Sequence, residues 1–292
     1  MAGKWDSFTK RLIGMRPEQY ARWLMPNATL ISTLDIELKA QHFFRRCLIK
    51  VLLCDQPALM HVELQTYEDP TMGKRMLEYN ILAEHQYELP TCSFVIHLRK
   101  RRVDKAPYVR RFVDGGITHR FHFRVVKLWE VTAQSIVDLG WDGLLPLLPL
   151  TKGGKRPEMV QIMIDRLAGE NGDKDLLALA EMLGGLAFTK ESEKVWFKRR
   201  FAMFQDIMKD SWVYQEIVQN SEERGLELGI QSHRQAIVDV VRSRFPQLAD
   251  LAAQYVARLR SLDDLRILTV SVASAQDAEA VRRLLINNSA NS

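Results

Sequence analysis

Residues 61–69 read "HVELQTYED", and the period of this stretch decides the fold. His61, Glu63 and Gln65 alternate with Met60, Val62 and Leu64. A two-residue period sends alternate side chains to opposite faces, so the spacing predicts a β-strand with one polar and one apolar face. The plain reading of the polar face is that it meets solvent. The sharper one is that Glu63 holds a metal ion, with Gln65 presented to the same side. The flanking sequence bears on that choice.

Upstream, "CLIKVLLC" (47–54) is a β-rich run and "DQPA" is turn chemistry, which together predict a hairpin into the 61–69 strand. A turn centred near residues 56 and 57 would set Glu63 opposite about residue 50 and Gln65 opposite about residue 48. Residues 5–25 read as one or two helices, with Pro17 suited to a first helical turn. Between them, "STLDIELKAQ" alternates loosely around Leu34, Ile36 and Leu38.

Downstream, Asp69 is suited to an N-cap and Pro70 to the first helical position. Met72, Met76, Tyr79 and Ala83 follow at helical spacing, with Gly73 a weakening residue within it. "CSFVIHL" (92–98) is a short strand of the buried kind, "RKRR" (99–102) opens a polar loop, and "HRFHFRVVKLWEV" reads as one long strand. Helix, three strands, helix, strand, strand is the order of an α/β domain with a central sheet. "GWDGLLPLLPLTKGGKRP" reads as a punctuated connection to helices that run to about residue 220. The polar stretch "NSEERGLELGIQSHRQ" places a boundary near residue 221. Beyond it, Ile237, Val240, Val241 and Phe245 mark one helix, and Leu248, Leu251, Tyr255 and Leu259 another.

The composition suits an ordinary globular protein: 292 residues, 47% apolar and 26% charged. A net charge of +5 favours anionic partners only mildly. Three cysteines without a CxxC pair argue for a reducing compartment and against a zinc site. The opening "MAGKWDSFTKRLIG" lacks a signal peptide's apolar run, and no stretch reaches the roughly 18–20 apolar residues of a membrane span. A cytoplasmic protein without a membrane is expected.

Phosphodiester hydrolysis with Mg²⁺ needs oxygen ligands converging on one point, because magnesium prefers octahedral oxygen coordination. An acid on one strand and Glu-x-Lys or Glu-x-Gln on its neighbour meet that need. The segments "DSFTK", "WLMP", "LDIEL", "LIKVLL", "HVELQTYEDPTMGKRMLEYN", "LPTCSFVIHLR" and "FRVVKLWEV…GLLPLLPLT" occur in that order. In that arrangement the chain resembles the recombination-promoting nuclease (Rpn)/transposase family, a branch of the PD-(D/E)XK nuclease superfamily, over residues 5 to 220. The tail resembles the small helical domain often attached to such proteins.

The resemblance implies a restriction-endonuclease-like core over 1–150 with a mixed central sheet flanked by helices. A helical extension over 151–220 and an all-helical domain over 221–292 would follow. It implies a Mg²⁺-dependent DNA endonuclease, associated with recombination or mobile elements. Glu63 and Gln65 match the motif, and Glu37 matches a recurrent acidic position, so Glu63 and Glu37 would hold Mg²⁺, or Mn²⁺. Arg75 and Tyr79, four apart on one helical face, match positions that could reach a phosphate; the competing reading places Tyr79 in the core and Arg75 in solvent. The family also expects an Asp where this chain has Arg46 or Cys47, and no acid lies between Glu37 and Asp55. The chain therefore reads as a degenerate nuclease, with a non-catalytic DNA-binding or oligomeric interaction protein on the same fold as the alternative.

Arg99, Lys100, Arg101 and Arg102 could contact backbone phosphates, or form a solvated loop. His119 and His122, three apart on a strand, would face opposite ways. "GLELGI" is no phosphate loop, since no Lys-Ser/Thr follows it. The apolar helices after residue 156 suit a homo-oligomer through the C-terminal region.

Overall fold

The computed structural model describes residues 11–34, 47–103, 106–170 and 172–287. The chain divides into two compact units, meeting between Tyr214 and Gln215. The polar run expected to mark a boundary near 221 lies inside a helix, because its residues keep helical geometry without needing a break.

The first unit opens with helical residues 11–15 and α1 (Pro17–Leu24), with Pro17 in the first turn as expected. Strand β1 (Ala28–Leu34) starts earlier than the alternation around Leu34, Ile36 and Leu38 suggests; Ile36, Leu38 and Glu37 lie outside the described residues. β2 (Cys47–Leu53) and β3 (Gln56–Gln65) form the hairpin read from sequence. Its turn, however, is at Cys54 and Asp55, both with positive φ (50° and 60°), and Leu53 faces Gln56. That is the two-residue geometry whose twist matches paired strands. Pro57 sits in β3 opposite Leu52, ahead of the β4 ladder that opens at Leu59, so its missing N–H costs nothing there. Lys50 consequently faces Leu59, and Leu48 faces His61; Glu63 is not opposite residue 50.

After β3, Asp69 makes an Asx turn rather than an N-cap: its Oδ1 accepts from Thr71 N (2.8 Å) and Thr71 Oγ1 (2.6 Å). Helix α2 (Met72–Tyr87) then starts two residues beyond Pro70. Met72 and Met76 are fully buried, worth about 3–6 kcal/mol together, which outweighs the roughly 1 kcal/mol that Gly73 costs a helix. β4 (Thr91–His97) pairs parallel with β3, and the connection through α2 is a βαβ unit.

The expected long strand is two. β5 (Tyr108–Arg111) and β6 (Ile117–Phe121) form a separate hairpin, and the chain breaks at residues 122–123 before β7 (Arg124–Lys127) joins β4 in parallel. The alternation survives the break because Phe121, Phe123 and Val125 all pack on one cluster with Met72, Met76 and Val95. The main sheet runs β1-β2-β3-β4-β7, antiparallel through β3 and parallel from β3 onward.

The stretch 142–150, expected to be a connection, is a buried 3-10 helix. Pro146 and Pro149 stand three apart, the period of that helix, and Leu144, Leu145, Leu147 and Leu148 are fully buried. Tyr20 Oη donates to Gly143 O (3.0 Å), tying α1 to it. Helices α3 (Ala133–Asp138), α4 (Pro157–Ala168), α5 (Lys174–Ala187), α6 (Glu191–Ala202) and α7 (Gln205–Lys209) complete this unit.

Helix α8 (Trp212–Arg244) is followed in the second unit by α9 (Ala249–Val256), α10 (Leu262–Ser274) and α11 (Ala278–Asn287). Ile237, Val241, Ala252, Val256, Leu265 and Val272 are central to its core. Arg244 donates to the carbonyls of Val272, Ala273 and Ala275, closing the carbonyl end of α10. Among the described residues, no helix is long and apolar enough to cross a membrane.

Candidate functional site

β3 places His61, Glu63 and Gln65 on one face, and the partners in β4 at the same register are Ser93, Val95 and His97. This face does not meet water. α2 lies over it, and His61, Glu63, Gln65, Ser93 and His97 are all buried, Glu63 at 7% exposure. Apolar side chains on either side form clusters: Met72, Met76 and Val95 towards β7, and Leu48, Leu59 and Ala83 towards β2. A polar seam runs between them.

The seam can be followed bond by bond. Asn80 Nδ2 donates to Thr91 O (2.7 Å) and to Ser93 Oγ (3.1 Å). Ser93 Oγ lies 3.3 Å from His61 Nδ1. His61 Nε2 is 3.8 Å from Glu63 Oε1, and the Tyr79 ring sits 5.9 Å from the imidazole. Glu63 Oε2 accepts from Arg75 Nη2, and Arg75 Nη1 reaches Asp69 Oδ2 at 2.6 Å. Arg75 is thus a mostly buried cation between two carboxylates, one from the middle of the sheet and one from the β3–α2 turn. Burial works to lower its pKa, but the charge and hydrogen bond of Glu63, with Asp69 and Tyr67 behind them, hold it above its ordinary value.

Beyond Glu63 the seam ends at the carboxyl end of the parallel strands, where open α/β sheets bind ligands. Gln65 faces His97 there, each 4% exposed, and the Nε2 atoms of both lack a hydrogen-bond partner among the described residues. Burial, then the nearby Lys127, lowers the His97 pKa, so the ring is neutral at physiological pH. Arg99 to Arg102 follow immediately, with Lys100, Arg101 and Arg102 exposed. Arg102 N donates to Glu68 Oε1 (3.2 Å), which holds this basic loop beside the β3–α2 turn.

The structure therefore gathers Glu63, Gln65, Arg75 and Tyr79 between α2 and the sheet and places Arg99, Lys100, Arg101 and Arg102 at the rim. Arg75 and Tyr79 share a helix face that is turned inward: Arg75 is paired rather than solvated, and Tyr79 packs on His61. Glu37 and Arg46 lie outside the described residues. Cys47 faces Val62, on the side of the sheet opposite Glu63, so an acid at 47 would not join Glu63. Sequence reasoning missed Asp69, Ser93, Asn80 and His97. The spacing of Ser93 and His97, an even number of residues apart on a mostly apolar strand, was the available signal.

A Mg²⁺ site wants several oxygen ligands on one ion. Here Glu63 supplies one carboxylate, Arg75 already engages it, and no group of three His, Cys, Asp or Glu side chains able to hold a metal occurs among the described residues. Glu37, the other ligand the resemblance implies, lies outside the described residues, so the described residues place at the site one carboxylate already paired with Arg75. No family model, curated protein or solved structure gives a significant match to the chain.

Proposed function

We propose that this chain is a DNA-binding protein on a restriction-endonuclease-like core, in which Arg75 supplies the positive charge that a metal would bring to Glu63. The observation that carries the reading is the Glu63–Arg75 pair: the motif carboxylate sits mid-strand beneath α2, with a guanidinium on the oxygen a cation would take. The order of elements supports it, with three antiparallel strands, α2 and a parallel β4 in the sequence of the Rpn-like motifs. The basic rim at the end of β4 supplies the contact with phosphates, which is independent of base sequence.

One observation favours the enzyme reading instead. Glu63 and Gln65 project to one face near the carboxyl end of the parallel strands, beside two orphan polar nitrogens that a ligand could satisfy. Plasmid nicking with Mg²⁺ and with Mn²⁺ separates the two. The binding reading expects duplex retention in gel shift and no metal-dependent nicking by wild type. Nicking that disappears in Glu63→Ala would replace it with the Mg²⁺-dependent endonuclease. A homo-oligomer through the helical unit fits the exposed Ile267 and Val270 of α10, and light scattering tests it.

A further inference from the structure

The protein's net positive charge comes from one stretch of its sequence. Residues 99–124 carry nine lysines and arginines against two aspartates, a net of +7 in a chain whose total is +5. The rest of the chain is net negative. Most of this charge rides on the β5–β6 hairpin and the loop that leads into it.

The hairpin has an anchored root and a bare shaft. At the root, Tyr108 faces Phe121, and both pack on the Met72, Met76, Val95 and Phe123 cluster beside the Glu63–Arg75 pair. A Cβ on Gly73 would lie 2.9 Å from the Tyr108 ring, so the absence of a side chain on α2 is what lets the hairpin seat there. From Arg110 to Arg120 every residue is exposed. Arg110 faces His119 and Val109 faces Arg120, so cations occupy both strands. The tip is ordered: Phe112 N donates to Gly116 O (2.8 Å), Arg111 Nη1 to Gly115 O (2.9 Å), and Gly116 N to Asp114 Oδ1 (2.8 Å). On that tip Phe112 is 61% and Val113 95% exposed, next to the half-exposed Ile117.

We propose that the β5–β6 hairpin is an arm that lies along a groove of duplex DNA, its arginines on the phosphates and Phe112 and Val113 wedged at a base step. The proposal rests on the DNA-binding reading above and names its contact element. Two-stranded ribbons dock in either groove of B-form DNA, and apolar side chains inserted between base steps from the minor groove kink the duplex. An A-form RNA major groove is too narrow for such a ribbon.

The same features could serve an anionic membrane, but the placement of charge favours DNA. A five-residue strand spans about 17 Å, so cations at the root and in the 99–102 loop stand well beyond the ~8–10 Å screening length from a surface touched only by the tip. A duplex along the arm meets them all.

The full-length protein is titrated with a 30-base-pair duplex carrying 2-aminopurine at its centre and a donor–acceptor dye pair at its ends. The wild type is expected to raise the 2-aminopurine signal and shorten the end-to-end distance. Phe112→Ser with Val113→Ser should lose both signals yet keep the salt slope of binding. Arg110→Gln, Arg111→Gln and Arg120→Gln together should reduce the slope of log K against log salt by about 2–3, near 0.9 for each phosphate engaged. All these side chains are exposed, so unchanged melting temperatures will show that the variants fold. Wild-type binding with both variants indistinguishable from it would overturn the arm and leave the DNA-binding reading standing. No duplex binding at all would overturn both. Equal retention of duplex RNA, or tip-dependent capture by phosphatidylserine vesicles without duplex binding, would also overturn the groove assignment.

Discussion

Arg75 on α2 and Glu63 in the middle of β3 form a buried ion pair, with side-chain exposures of only 13% and 7%. A buried pair adds little over a well-packed apolar pair, yet removing one partner strands a charge and costs about 3–5 kcal/mol. Arg75→Met should therefore destabilise the first unit by about that much, since Asp69 loses its partner as well. Adding Glu63→Gln to Arg75→Met should recover part of the loss. All six tryptophans, at 5, 23, 129, 141, 196 and 212, precede the division between the units, so urea unfolding followed by tryptophan fluorescence reports on this unit alone. Equal stability of Arg75→Met and wild type would mean that the pair is not maintained in solution.

His97 makes the same unit acid-sensitive. Its folded-state pKa is lowered, by burial and then by Lys127, so the unfolded chain takes up the proton first as pH falls. The stabilisation is complete above the unfolded value of about 6.5 and is lost as pH falls from there through the folded value. Wild type should lose more stability between pH 7.5 and 5.5 than His97→Gln, which cannot titrate. Parallel losses in the two proteins would remove His97 as the cause.

The strand carrying Glu63 was legible because its period is unambiguous, and the hairpin before it because a β-rich run and turn residues sit where they should. The register was not. Sequence offers both "CD" and "QP" as turn centres, and only the backbone geometry at Cys54 and Asp55 decides between them. The 3-10 helix over 142–150 was hidden by its prolines, which read as loop chemistry although their spacing of three also fits a buried helix. At the site, Glu63, Gln65, Arg75 and Tyr79 were all named from sequence; a core position was weighed for Tyr79, but the burial of Glu63 and Gln65 and the pairing of Arg75 were not read. Whether a strand's polar face meets water depends on what α2 does after the turn. Asp69, Asn80 and His97 come from three other elements, so no local pattern connects them to Glu63.

Gly73 links the helix to the hairpin. In an exposed helix Gly→Ala gains about 1 kcal/mol. Here the added methyl would meet Tyr108 Cδ2 at 2.9 Å and Tyr108 Cβ at 3.0 Å, and a Cβ moves only with its backbone. Gly73→Ala should forfeit the helix gain and loosen the hairpin root, measured as faster tryptic cleavage after Arg110 and Arg111. Unchanged cleavage together with a higher melting temperature would show that the hairpin does not press on α2.

The rim loop makes a separate electrostatic prediction. Replacing Arg99, Lys100, Arg101 and Arg102 together by Ala should flatten the salt dependence of duplex binding, by about one unit of slope for each phosphate no longer neutralised. Affinity should fall alike on unrelated sequences, since phosphate binding carries no sequence information. A slope equal to that of the wild type would return these four residues to an ordinary solvated loop and leave the hairpin as the main binding element.

Placing an acid where the resemblance to the Rpn family would put one tests the register directly. Position 46 and position 47 both align with the expected Asp, but Cys47 faces Val62, and the Glu63 side chain points the other way. Cys47 is 6% exposed, on a face shared with the buried Ile49, Val51, Met60 and Val62. A carboxylate among those apolar side chains must either be desolvated or stay protonated, and both oppose folding. Cys47→Asp should thus lower the melting temperature markedly and bring no Mg²⁺-dependent nicking, whereas Cys47→Ala, which removes the thiol without adding charge, should cost far less. Arg46→Asp is the informative companion, assayed for plasmid nicking alone and combined with Arg75→Gln, which would release Glu63 from its cation. Nicking by Arg46→Asp with Arg75→Gln that vanishes on adding Glu63→Ala would show that the arginine stands where a metal can bind. Nicking by Cys47→Asp that depends on Glu63 would contradict the register itself, because it would require the two side chains to meet through the sheet.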